Sequence, residues 1–276
     1  FDFSPEQLHN ILAIAWLYRG EQSRFIELAV SYGSRMLEAG KDCQAGLTDY
    51  TEAIKTVQQA IAPFMAVMDS EDEGWLEFQA AGVTWREDGE AFTGKFAGAT
   101  PPGASAEALR QFVEIWQPIA EMSRDLVKQA DLVYKLAGRL IDRCESELGA
   151  KESNRWQGRE VKKLLKELDG ARQAAIANLK QVRYFFRQAQ WLMVRFPDAQ
   201  LRDVEGLVKL VDRSELEAND WSLTPGRYVG VAPEEVDEDF DFEEALRDIH
   251  VELSDLNQEA VSLAAAIARN FEELGI

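Results

Sequence analysis

Apolar residues recur at alternating steps of three and four along most of this chain, and that spacing leaves few folds open. One stripe runs Leu47, Tyr50, Ile54, Val57, Ile61, Phe64 and Met68. A second runs Leu109, Phe112, Trp116, Ile119, Ser123, Leu126, Ala130, Val133, Ala137, Leu140 and Cys144. The third, from Val161 through Leu168, Ala175, Leu179, Val182 and Phe186 to Phe196, slips phase once near Asn178. The fourth is Leu246, Ile249, Leu253, Leu256, Ala260, Leu263 and Ile267. A 3–4 alternation keeps every apolar group on one narrow face of a helix, where a strand would demand a step of two. The spacing therefore predicts an all-α protein of long antiparallel helices, packed as a bundle or in coiled-coil fashion.

Local signals set the helix ends. Ser4-Pro5-Glu6-Gln7 combines an N-cap serine, a proline at the first helical position and a glutamine that can close a capping box. Ser214 with Glu217 is read as a second box ahead of a short helix, and Asp241 with Glu244 as a third ahead of the last helix. Pro63 and Pro118 fall inside apolar stripes and predict kinks or broken turns. Between Ser70 and Ser105 the stripe is lost among Gly74, Gly82, Gly89, Gly94, Gly98 and Gly103. That stretch is read as an irregular connection, with a small hairpin around WREDGEAFTG. Five segments follow: N-terminal helices over 1–69, the glycine-rich connection over 70–104, and a pair of long antiparallel helices over 105–197. After these come a turn-rich clip with an acidic hinge over 198–240 and a protruding C-terminal heptad helix over 241–276. The sequence opens on Phe1 rather than Met, and is read as starting partway through a longer polypeptide.

Charge and rare residues narrow the chemistry. A net charge of −19 excludes a surface that binds nucleic acid all over. The charge is uneven, however: residues 151–197 hold 11 basic and 4 acidic groups, residues 212–276 hold 4 and 18. One helix could approach phosphate while the tail would be repelled by it. The longest apolar run, Ile11 to Tyr18, is too short to span a bilayer. Cys43 and Cys144 are read as buried thiols of a cytoplasmic protein. His9 and His250 have no partners at ligand spacing, so no metal site is assigned. There is no GxSxG, HExxH or GxGxxG motif, and FTGKFAGATPP lacks the glycine spacing of a phosphate loop. No catalytic or cofactor-binding residue can be named.

The stretch WSLTPGRYVGVAPEE, followed by an acidic spacer and a heptad helix ending RNFEELGI, resembles the carboxyl-terminal end of type I restriction–modification methylation subunits, the adenine-N6-specific DNA methyltransferase chains. Gly206 to Gly230 and FSPEQLHNILAIAWLYRGEQ fit the same family. The resemblance implies a catalytic domain upstream that binds S-adenosylmethionine and holds a flipped adenine with an Asn-Pro-Pro-Phe/Tyr motif. That motif is absent here. The single Pro-Pro, Pro101-Pro102, is flanked by Thr100 and Gly103.

What remains is an assembly role. By the resemblance, the seam of Leu246, Ile249, Leu253, Leu256, Leu263 and Ile267 packs on the long helices of the specificity subunit. Each large side chain buried there would contribute about 1.5–3 kcal/mol. Arg172, Lys180, Arg183 and Arg187 are read either as a solvated or internally paired face, or as contacts to the DNA backbone in the assembled complex. Pro225, Gly226, Arg227 and Tyr228 are read as a structural clip, with Gly226 free to take a positive φ. The nuclease subunit is a further candidate partner. The alternative is a stand-alone coiled-coil scaffold or self-associating module with no link to methylation.

Overall fold

The computed structural model describes residues 3–232 together with residues 246, 249, 253, 260, 263, 264 and 267. The fold is all-α. Its helices are α1 (Pro5–Tyr18), α2 (Gln22–Met68), α3 (Glu73–Gly94), α4 (Ala106–Ser146), α5 (Gly158–Arg195) and the short α6 (Arg213–Ala218). Among the described residues there is no strand, only an isolated bridge between Val204 and Val208. The chain divides into two compact units, Phe1–Arg202 and Asp203–Ile276.

In the first unit, α2 to α5 form an up-down-up-down four-helix bundle. Helix α5 runs antiparallel to α2: Phe25 meets Phe196 at 6.1 Å between ring centroids, and Phe64 meets Trp156 at 5.3 Å. Helix α3 also runs antiparallel to α2. The Gln58 amide donates to the Phe78 carbonyl, and Trp85 Nε1 donates to Thr51 Oγ1 at 3.1 Å. Helices α4 and α5 are tied by Lys162–Glu145 at 3.0 Å and by Arg172–Asp131, and Arg110 of α4 pairs with Asp198 just beyond α5. Across the diagonal α2 and α4 run parallel, with Tyr50 OH donating to the Ala130 carbonyl at 2.8 Å. The apolar stripes of these four helices face inward apart from Met68 at the end of α2, and Trp85, Tyr50, Phe64 and Leu168 are at most 2% exposed.

The glycine-rich segment is where the sequence reading fails. Residues 73–94 are helical, so neither the hairpin nor an irregular connection over the whole of 70–104 exists. Trp75, Phe78, Trp85, Phe92 and Phe96 are buried, and Gly82 and Gly89 occupy the missing 3–4 positions between them. The stripe was there, with glycines in it. A Cβ on Gly82 would stand 3.0 Å from Ile54 Cγ2 and 2.9 Å from Gln58 Nε2, so its bareness lets α3 lie close to α2. Gly40 does the same from the other side. Its Cβ would fall 2.0 Å from Phe96 Cε1, inside the ring's own volume. Helix propensity lost at glycine, about 1 kcal/mol each, is offset by aromatic packing.

Two local expectations also change. The helix assignment continues through Pro63 and Pro118, with no broken turn. Both prolines face solvent, where water can serve the carbonyl that lacks its usual amide donor. The short helix α6 is capped by Asp212, whose Oδ1 accepts from Glu215 N at 2.8 Å, not by Ser214. The capping box at Ser4 and Gln7 is present as expected. The Asp241–Glu244 box and the acidic hinge over 233–240 lie outside the described residues.

Candidate interaction surface

The C-terminal seam was expected to need another polypeptide. Leu246, Ile249, Leu253, Leu263 and Ile267 are helical and between 47% and 60% exposed. Ala260 and Ala264 are helical and exposed as well. Leu256 lies outside the described residues. Large apolar groups left half in water at heptad spacing have the form of a helix-in-groove or coiled-coil contact, because each one covered removes apolar area from water.

The clip is a compact knot. Pro225–Arg227 forms a single 3-10 turn, closed by Tyr228 N and Val229 N donating to the Pro225 carbonyl. Tyr228 OH donates to the Ser222 carbonyl at 2.5 Å, and Gly206 N donates to the Val229 carbonyl at 2.6 Å. The left-handed glycine expected at 226 is found instead at Gly206 (φ +72°), where a Cβ would strike Ala232 N at 2.3 Å. A 3-10 turn needs only negative φ, so Gly226 has no such duty. Arg227 is exposed, and Tyr228 and Val229 are half-buried. An open groove of about 360 Å³ borders the knot between Asp203–Lys209 and Tyr228–Gly230. Asp203 and Lys209, two of its three charged lining residues with Glu205, are paired with each other at 2.6 Å.

The four basic residues proposed for phosphate do not form one set. Arg172 is committed inside the protein. It bonds Asp169 at 2.6 Å and also Asp131, and lies over the Tyr134 ring at 4.9 Å. Burial opposes its charge, but the two carboxylates outweigh that and hold its pKa above the ordinary guanidinium value. Lys180 is exposed, and Arg183 and Arg187 are half-buried.

Sequence reasoning missed the way α1 is seated. Its buried face is Asn10, Ala13 and Leu17, one polar, one small and one large apolar group. Its outward face carries Leu8, Ile11 and Leu12, each 48% exposed, with Phe3 at 64% and Tyr18 at 72%. A polar latch holds this orientation. Glu6 accepts from Tyr184 OH and from Arg35 Nη1, both at 2.8 Å, and Tyr32 OH donates to the Glu6 carbonyl. Asn10 Nδ2 donates to Gln188 Oε1 at 2.8 Å. Burial raises the pKa of Glu6, but the bonds from Tyr184 and Arg35 win and keep it below the usual carboxylate value. The signal was in the sequence: an N-cap box followed by ILAIAWLY, a helix apolar nearly all round, must either be buried on all sides or show a greasy face.

Reactive groups do not converge anywhere described. Burial pushes the thiols of Cys43 and Cys144 up to about 12 and about 11, which leaves them protonated and inert. Among the described residues no three His, Cys, Asp or Glu side chains are grouped to hold a metal ion. No described helix is long and apolar enough to cross a membrane. No family model, curated protein or solved structure matches this chain.

Proposed function

We propose that this chain is the helical C-terminal assembly region of an adenine-N6 DNA methyltransferase subunit from a type I restriction–modification system. Its catalytic, S-adenosylmethionine-binding domain would lie upstream. The C-terminal seam would dock on the long helices of the specificity subunit, and the assembly would close around DNA. The observation that carries the reading is that Leu246, Ile249, Leu253, Leu263 and Ile267, each helical, stand half-exposed at heptad spacing after WSLTPGRYVG in the sequence. The length of the bundle fits a spacer between a catalytic domain and a docking helix, since α2 alone, at 47 residues, is about 70 Å long.

Two experiments test this. The reading frame upstream of Phe1 should encode an Asn-Pro-Pro-Phe/Tyr segment; its absence favours the scaffold alternative. Truncation after Asp241 should abolish reconstitution with the specificity subunit and methylation of target duplexes. Retention of both sinks the docking role.

A further inference from the structure

The outward face of α1 is a second uncovered apolar surface, with features that select its occupant. Leu8, Ile11 and Leu12 project from adjacent turns, flanked by Phe3 and Tyr18. Together they leave roughly 500–600 Å² of mainly apolar surface in water, at the top of the range for a monomer's largest patch. The face is not an accident of a loosely rolling helix. Glu6, Asn10, Arg35, Tyr184 and Gln188 fix the rotation of α1 by side-chain hydrogen bonds to both α2 and α5. The protein therefore spends its polar contacts inward and presents its apolar ones outward.

Area decides between partners. Counted on both sides, such a contact covers about 1,000–1,200 Å², short of the roughly 1,600 Å² of a standard interface between separate chains. It lies within the roughly 600–1,500 Å² of contacts between domains of one polypeptide. A tether removes the need for more, since a joined domain is presented at an effective concentration of about millimolar. A second copy has no tether to offset the small area, and charge does not help it, since residues 1–202, which include α1, carry 25 basic against 29 acidic groups. We propose that the Phe3, Leu8, Ile11, Leu12 and Tyr18 face of α1 seats a folded domain joined covalently to this chain. On the reading above, on which this rests, that domain is the methyltransferase domain. The contact would set the angle at which the catalytic domain leaves the bundle.

The test uses the polypeptide expressed from its complete reading frame. Both native cysteines are buried with raised thiol pKa values, so an introduced cysteine reports alone. Ile11→Cys and Ile115→Cys, at positions 48% and 63% exposed, are labelled with a maleimide under native conditions. The expected result is labelling at least tenfold slower at position 11 than at 115, in a particle whose light-scattering mass is that of one chain. Equal rates at the two positions overturn the proposal. So does protection that vanishes on dilution as the mass halves, which would assign the face to a second copy. A reading frame without a methyltransferase domain defeats the functional reading instead, and is seen in the sequence before any labelling.

Discussion

The bundle and helix α1 use the same ingredients in opposite directions. In α2 to α5 the apolar stripes point inward and meet one another, so Trp85, Tyr50 and Phe64 lose nearly all contact with water. In α1 the inward face is Asn10, Ala13 and Leu17, held by a polar latch, and Leu8, Ile11, Leu12 and Tyr18 are left outside. The C-terminal seam likewise leaves apolar groups half in water, at Leu246, Ile249, Leu253, Leu263 and Ile267. A stripe thus has two uses. Covered within the chain it is stability; left open it is a place for something else. Mutations should separate the two cleanly.

The largest effect belongs to the covered stripe. Trp85 is fully buried, packs edge-on to Tyr50 at 5.0 Å and donates to Thr51. Trp85→Ala should cost about 3–5 kcal/mol in chemical denaturation. A loss below about 1 kcal/mol would show that α3 is not part of the core. Gly40→Ala comes next, at about 1–3 kcal/mol, because the new methyl must displace the Phe96 ring. A stabilising Gly40→Ala would mean that helix propensity outweighs the clash, and that α2 and Phe96 can move apart.

Asp72 should rank third. It caps α3 through Trp75 N at 3.0 Å, pairs with Arg143 and is 7% exposed. Asp72→Ala should cost about 1–2 kcal/mol through the lost cap and the stranded guanidinium. Burial raises this carboxyl's pKa, but the Trp75 amide and Arg143 overcome it and leave the group below its ordinary value of 3.8. A depressed folded pKa stabilises the fold above the unfolded value and loses that contribution as pH falls through the folded one. Unfolding monitored below about pH 4 should therefore show wild type converging on Asp72→Ala; a constant gap would refute the assignment.

Smaller effects probe the open faces. Arg172→Glu should destabilise the isolated chain measurably, because it opposes Asp169 and Asp131. Lys180→Glu should change stability by less than about 0.5 kcal/mol. If Lys180 meets a phosphate in the assembled complex, its reversal should flatten the plot of log affinity against log salt by about 0.9; an unchanged slope removes it from the DNA contact. Last, Leu253→Asp with Leu256→Asp should leave the unfolding transition of the bundle within about 0.5 kcal/mol while preventing recovery of the specificity subunit on co-purification. Normal recovery would break the comparison, since the seam would then be serving neither purpose.

Periodicity alone determined that the chain is helical, where α4 and α5 lie, and which of their faces is buried: from Leu109 to Phe196 most stripe residues are buried, with Ile119, Leu164 and Ala171 half-buried. It also placed apolar groups at 246, 249, 253, 263 and 267, which the structure leaves half in water. Tertiary structure decided the rest. Gly40 and Gly82 look like breaks when only neighbours along the chain are considered, and become sockets once Phe96 and Ile54 stand opposite them. Arg172 looks like its basic neighbours until Asp131, 41 positions away, comes within reach. Only three dimensions could reveal that α1 turns Leu8, Ile11 and Leu12 outward, because its latch draws on Arg35, Tyr184 and Gln188 from two other helices. A repeat of three and four fixes which residues share a face of a helix. What lies against that face depends on residues distant in sequence, and their distances are set only when the helices pack.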